Sequence, residues 1–371
     1  PTLNSIYHGD VLEVLKSWPD EFIDCIITSP PYYGLRDYNV SGQIGLEKTL
    51  NEYLDKMLLV TAELKRVLRP TGTLWWNHGD SYATSRAIGT DDNGSHGTLA
   101  GGQRTKFSKT NQTPRNNKLN NGISEKSLML QAHRLAIRMV DEQGWILRNT
   151  IIWHKPNVMP SSVKDRFTVD YEPIFFFTKN KKYWFETQYE PHKEISLKRA
   201  EYGLNQTDHE GAKMNAVNVQ NLDKMGSRFV PELGRNKRTV WKIATHPYSE
   251  AHFATFPQEL IEIPIKAGCP EFICKKCDKA REKIIEPTEE YAKFLGKGWH
   301  DHKNDSVAGM GQQTRGFSSR KGKINGIERY KNLGYTDCKC NAGWNKGIVL
   351  DPFMGSGTTA YVARSLGRNY L

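Results

Sequence analysis

The run Phe22–Thr28, FIDCIIT, reads as a buried strand, and it ends abruptly at Ser29-Pro30-Pro31-Tyr32-Tyr33. It belongs to an alternating series. Val11–Lys16 has the spacing of a short helix, and Ser5–Tyr7 before it suggests a further strand. Thr49-Leu50-Asn51-Glu52 forms a capping-box sequence, followed by Leu54, Met57, Leu58, Leu64 and Leu68 at helical spacing. Arg69-Pro70-Thr71-Gly72 should stop that helix, and Thr73–Trp76 should begin another strand. Later come a helix over Leu128–Glu142, strands at Leu147–Trp153 and Pro173–Thr178, and a closing strand at Ile348–Asp351 before a helix over Thr358–Leu366. Strands alternating with helices predict an α/β fold with a mostly parallel, doubly wound sheet, interrupted by polar insertions.

The 371 residues can bury a large core and accommodate two domains or one domain with insertions. Lysine and arginine number 52 against 41 acidic residues, a formal charge of +11, which favours a polyanionic partner such as nucleic acid. No run approaches the roughly 18 apolar residues of a membrane span, and Pro1–Asp10 lacks the basic and apolar parts of a signal peptide. The expectation is therefore a cytoplasmic protein without a membrane association. Cys269, Cys274, Cys277, Cys338 and Cys340 crowd together, which in a reducing compartment suggests metal before disulfides. Cys25, alone in an apolar strand, reads as core.

The second informative stretch is Asp351–Thr359, DPFMGSGTT. A strand ending in a carboxylate, then Gly355 and Gly357, then a helix start lets backbone N–H groups approach a ligand closely at the positive helix end. No lysine precedes Thr358, so this is not a P-loop, and the dinucleotide fingerprint is absent too. An ordinary β-to-α connection is the competing reading of the glycine turn, as a strand terminator is for Pro30-Pro31 and packing is for Tyr32 and Tyr33.

Taken together, TSPPYY near the start and DPFMGSGTT near the end resemble the beta group of S-adenosylmethionine-dependent DNA amino-methyltransferases, in that group's permuted motif order. Gly9-Asp10, Trp153-His154-Lys155-Pro156-Asn157 and His252-Phe253-Ala254-Thr255-Phe256-Pro257 also have counterparts there. The resemblance implies a Rossmann-like methyltransferase fold. It implies that Ser29 and the Pro30 carbonyl accept hydrogen bonds from the amino group of a flipped base, with Pro31 stiffening the turn and Tyr32 stacking on the base. For the cofactor it implies Asp351, Phe353, Gly355, Ser356 and Gly357 at the methionine end, Asp10 at the adenine end, and Phe256 and Pro257 lining the pocket. The acidic residue that holds the ribose in this family is expected beyond Asn369-Tyr370-Leu371. Serine at the first motif position is typical of enzymes acting on cytosine N4, whereas aspartate there often accompanies adenine N6. Cytosine is the favoured base, with adenine methylation and a catalytically silent DNA-binding protein as the alternatives.

Residues 1–83, 127–190, 239–268 and 347–371 are expected to form the methyltransferase domain, 239–268 being a cofactor-side segment. The polar stretch 84–126 reads as a loop and 191–238 as the target-recognition region. The candidate contacts to double-stranded DNA are Lys155, Arg228, Arg235, Lys237 and Arg238. Residues 269–346 read as a cysteine-bearing insertion, in which Cys274-x-x-Cys277 and Cys338-x-Cys340 supply four thiolates for a structural zinc and Cys269 competes. A prokaryotic or phage type of restriction-modification system, with an endonuclease partner, completes what the resemblance implies.

Overall fold

The computed structural model describes residues 1–38, 40–83, 122–191, 235–246, 256–289, 323–324, 327–328 and 330–371. Arg228, most of the stretch 84–126 and most of 191–238 lie outside the described residues. The elements are α1 (Val11–Lys16), β1 (Ile23–Thr28), α2 (Leu50–Val67), β2 (Leu68–Asn77), α3 (Gln131–Gln143), β3 (Ile146–His154), β4 (Tyr171–Thr178), β5 (Tyr189–Glu190), β6 (Arg235–Asn236) and β7 (Val240–Lys242). They continue as α4 (Gln258–Gly268), β8 (Ile273–Cys274), β9 (Lys283–Pro287), β10 (Lys323–Ile324), β11 (Ile327–Glu328), β12 (Tyr330–Tyr335), β13 (Trp344–Asn345), β14 (Ile348–Leu350), α5 (Thr358–Ser365) and β15 (Asn369–Tyr370).

Among the described residues the chain divides into two units. The first holds Pro1–Glu186, Arg238–Ala280 and Ala342–Leu371; the second holds Thr187–Lys237 and Arg281–Asn341. In the second unit β5 pairs with β6, β9 with β12, and β10 with β11, all antiparallel. The first unit is built on a seven-stranded sheet in the order β15-β14-β1-β2-β4-β3-β7. Its β15–β14, β14–β1, β1–β2 and β3–β7 pairs are parallel, and β4 runs antiparallel to β2 and β3. This is the mostly parallel sheet expected from the alternation.

Every residue of β1 is buried because both faces of the sheet are covered. Ile26, Leu74, Trp76, Phe175 and Phe177 face a core completed by α1, α2 and α3. Their neighbours Cys25, Ile27, Trp75, Ile174 and Phe176 face a second core with α4 and α5. Cross-strand partners Trp75 and Phe176 stack at 4.1 Å between ring centroids. The α2 stripe Leu50, Tyr53, Leu54, Met57, Leu58, Thr61 and Leu64 is buried at the spacing that sets one helix face against the sheet. Each such large apolar side chain contributes on the order of 1.5–3 kcal/mol on burial. Thr49 caps α2 by accepting from the Glu52 N–H, while the Glu52 carboxylate reaches the Lys48 N–H.

Two local expectations differ from the structure. Ser5–Tyr7 form no strand, since Asn4 turns with φ +59° and gives its N–H to the Tyr370 carbonyl. Arg69–Gly72 do not separate helix from strand. The strand begins at Leu68, which pairs with Ile23, and the next partners are Cys25 and Thr73, so the intervening residues bulge out of β2. Within 239–268 a full helix, α4, covers the second face of the sheet, held there by Leu260, Ile261 and Ile265.

Candidate active site

Parallel strands converge their carboxyl ends, and here β1 and β14 end side by side, with Ile26 paired to Leu350. The chain after β1 is the SPPYY turn; the chain after β14 is the glycine loop. They are tied by Asp351, which is buried and accepts from Thr28 Oγ1 at 2.7 Å, Thr359 Oγ1 at 2.7 Å and the Phe353 N–H at 3.1 Å. Burial pushes its pKa up to about 6, against those three hydrogen bonds. Both Asp351 oxygens are thus committed to fixing the strand ends. Gly355 and Gly357 follow with φ +57° and +81°, in the left-handed region that glycine adopts freely, and α5 then starts with no side-chain cap. Its first N–H groups can meet an anionic group.

A cavity of about 1030 Å³ opens between these two turns. Ser29, Pro30, Pro31 and Tyr32 line it from one side, and Phe256, Phe353, Met354, Gly355, Ser356 and Thr358 from the other. Expected site residues from distant parts of the sequence are therefore brought together. Pro257 is the N-cap position of α4, and Gly357 that of α5. Asp10 caps α1, one carboxylate oxygen accepting from the Leu12 and Glu13 N–H groups at 2.9 and 3.2 Å.

Within the cavity a hydrogen-bonded chain runs through four side chains. The Tyr32 hydroxyl lies 3.2 Å from Ser29 Oγ and donates to Glu172 Oε2 at 3.1 Å. Lys155 Nζ bonds the other Glu172 oxygen and sits 4.3 Å from the Trp153 ring centroid. Burial first, then the Glu172 charge, raises the Tyr32 pKa well above its ordinary value, outweighing the hydrogen bonds from Ser29 and the Gly79 backbone. Tyr32 therefore keeps its proton, and a carboxylate can only accept it. With that proton directed at Glu172, the hydrogen bond between Tyr32 and Ser29 must be donated by the serine hydroxyl. Ser29, which lines the cavity, keeps its Oγ lone pairs as acceptors.

Beneath Tyr32 lies His78, ring centroids 5.0 Å apart with 29° between planes. Burial pushes its pKa down to about 3, so it is a neutral platform. Trp76 Nε1 donates to His78 Nδ1 at 3.4 Å, which places the imidazole proton on Nε2, facing Tyr53 Oη and Gln131 Oε1 at 3.3 and 3.4 Å. Tyr53 donates in turn to the Pro31 carbonyl at 2.9 Å. Gly79 completes the seat, since a Cβ there would come within 2.8 Å of Tyr32 Cε2. Tyr33 turns away into the core.

The sequence reading missed Glu172, His78 and Asn77, the last of which lines the cavity. They sit on or beside strands with dominant apolar patterns, in which a lone polar residue near a strand end is the only sequence signal. Lys155, expected at DNA, forms part of the cavity wall. Arg235 in the second unit pairs with Glu190 at 2.9 Å, while the Lys237 N–H bonds the Gln188 carbonyl. Arg238, in the first unit, accepts at its carbonyl from Trp241 Nε1.

No disulfide joins any of the six cysteines. Cys25 and Cys269 are buried in the sheet's second core, and burial raises the Cys25 pKa to about 12 and Cys269 well above its usual value. Cys274 ends β8, its sulfur accepting from the Lys276 N–H at 3.4 Å, in a tight turn that brings the Asp278 N–H to its carbonyl at 3.1 Å. Cys277 is exposed on that turn. Cys338 and Cys340 flank Lys339, which has φ +60°.

A DNA methylase family model matches residues 23–276 and 341–371. The type II methyltransferase M.XycI of Xanthomonas campestris pv. cyanopsidis is 36% identical over 265 residues, covering 71% of this chain and 72% of that protein. The type II methyltransferase M.SmaI of Serratia marcescens is 34% identical over 300 residues, covering 76% and 86%. Among solved structures, the PvuII DNA methyltransferase (cytosine-N4-specific) aligns over 99% of this chain and 79% of its own, at 17% identity and a TM-score of 0.47.

Proposed function

The chain belongs to the DNA methylase family of N6- and N4-amino-methyltransferases, and from that premise we propose that it transfers a methyl group from S-adenosylmethionine to the N4 amino group of cytosine in double-stranded DNA. The observation that carries this reading is the Ser29–Tyr32–Glu172–Lys155 chain, lining one cavity with Phe353, Gly355 and Ser356. The exocyclic nitrogen of a nucleobase is a weak nucleophile because its lone pair is delocalised into the ring. Acceptors aimed at its N–H bonds draw it towards tetrahedral geometry and free that lone pair. Ser29 Oγ, its own hydrogen bond donated to Tyr32, and the Pro30 carbonyl are those acceptors. Tyr32, backed by His78 on one face, offers its other face to the base.

S-adenosylmethionine, when bound, supplies an electrophilic methyl group on a sulfonium. The chain's residues fit it: the uncapped start of α5 suits its carboxylate, and Phe256 and Phe353 offer apolar walls to the rest. Asp351 acts by holding the glycine loop against β1. The preference for cytosine rests on serine at the first position of the four-residue motif. The structural zinc rests on the C-x-x-C and C-x-C pattern and on the N–H-to-sulfur turn at Cys274. A type II relative supports a role in restriction-modification beside an endonuclease, and the basic composition supports DNA binding that weakens steeply with salt. Among the described residues no helix is long and apolar enough to cross a membrane.

The test is labelled methyl transfer to unmodified DNA by the wild type and by Ser29→Ala. Transfer by the wild type, with a large loss in Ser29→Ala at unchanged cofactor affinity, supports the assignment. Normal transfer by Ser29→Ala contradicts the role of that hydroxyl.

A further inference from the structure

Resting on the functional reading above, we propose that Phe167 is the wedge that enters the DNA duplex and fills the space vacated by the target base. The residue is 96% exposed, beyond any other large apolar side chain among the described residues. It stands on the loop between β3 and β4, both ends of which belong to the cavity wall: Lys155 and Asn157 at the start, Glu172 at the finish.

The base of the loop is closed. The Lys155 N–H bonds the Asp170 carbonyl at 2.7 Å, His154 faces Asp170 at 3.3 Å, and the Asn157 side chain bonds Thr245 through both its amide atoms. Nearer the tip, the residues flanking Phe167 are each anchored. Thr168 Oγ1 accepts from the Ser161 N–H at 3.0 Å, the Arg166 guanidinium lies 3.4 Å from the Tyr82 ring centroid, and Asp165 pairs with Lys126 at 2.8 Å.

A phenylalanine on an unanchored loop would fold down onto nearby apolar surface; this one is held out in water by its neighbours. Met159, Val163 and Val169 on the same loop are 60%, 40% and 49% exposed. An anchored apolar side chain on the loop whose two ends wall the cavity that must receive an unstacked base is what base flipping requires, since apolar wedges enter base steps and hold them open. Lys164 and Arg166 flank the tip with positive charge suited to phosphates.

The experiment compares wild type, Phe167→Ala and Phe167→Trp on two duplexes carrying the site found by methylation mapping. One is fully paired; in the other the target base lies opposite an abasic position, so that it leaves the stack easily. We expect Phe167→Ala to lose about tenfold or more in kcat/KM on the paired duplex, to stay within about twofold of wild type on the abasic one, and Phe167→Trp to retain most activity on both. A fluorescent cytosine analogue at the target should brighten with wild type and not with Phe167→Ala. Equal activity of Phe167→Ala on the paired duplex, an equal loss on both duplexes, or an effect confined to self-association would overturn the proposal. Absence of methyl transfer by the wild type on either duplex would instead overturn the functional reading, and the wedge with it.

Discussion

The Tyr32 hydroxyl donates to Glu172 Oε2 across 3.1 Å, joining the turn after β1 to the start of β4. Because Glu172 accepts that hydrogen bond, the Ser29 hydroxyl donates to Tyr32 and keeps its lone pairs as acceptors. Tyr32→Phe removes this control: the serine proton is free to point at the incoming amino group and repel it. The expected result is a fall in kcat of about tenfold or more with cofactor affinity unchanged. Glu172→Gln should fall in the same direction, since an amide can present either a donor or an acceptor to Tyr32. Steady-state kinetics separating kcat from the KM for each substrate checks both.

Thr28 Oγ1 donates to Asp351 at 2.7 Å and so links the catalytic turn to the glycine loop. Thr28→Val keeps the shape and deletes the donor, leaving Asp351 Oδ1 with the Phe353 N–H alone of its two partners, at a cost of about 1–3 kcal/mol. Chemical denaturation should register that loss, and calorimetry should register weaker cofactor binding. Unchanged affinity would mean that the loop holds its position without the tie.

Asp24 is buried beside Arg69 at 3.3 Å and accepts the Ile348 N–H at 2.8 Å, at the other ends of β1 and β14. Burial, opposed by Arg69, raises its pKa to about 7. The folded state therefore holds this proton more tightly than the unfolded chain does, and its contribution to stability is present at low pH and is lost as pH rises through 7. Between pH 5 and 7 the loss is on the order of 2 kcal/mol. Asp24→Asn should flatten the pH dependence of unfolding free energy by about that amount, measured by urea titration at the two pH values.

Protein prepared without chelator should contain about one equivalent of zinc by elemental analysis, and Cys274→Ser should lower that content. Less than about half an equivalent in the wild type would contradict a structural zinc site.

The sheet was legible because strands covered on both faces leave near-continuous apolar runs, parallel in Phe22–Thr28 and antiparallel in Pro173–Thr178. The helix Gln258–Gly268 is obscured in the sequence because Pro264 lies inside it and Phe256-Pro257 before it read as a motif. The bulge at Arg69–Gly72 followed from the same cause in reverse, since Pro and Gly read as a stop whether the chain turns or only bends out of a strand. For the site, Ser29–Tyr32 and Phe353–Ser356 were visible as motifs because glycine, proline and hydroxyl clusters interrupt apolar patterns. Glu172 and His78 were not visible. Each is a single polar residue whose meaning comes from Tyr32, which is 140 positions from Glu172 in the chain, and only the crossing of β4 beside β2 brings them together.

The most direct test of the central claim is mass analysis of nucleosides from DNA incubated with the protein and labelled S-adenosylmethionine. The expected product is N4-methylcytosine, with the label in no other nucleoside. Label in N6-methyladenine would contradict the assignment of the base, and DNA without label would contradict methyl transfer altogether.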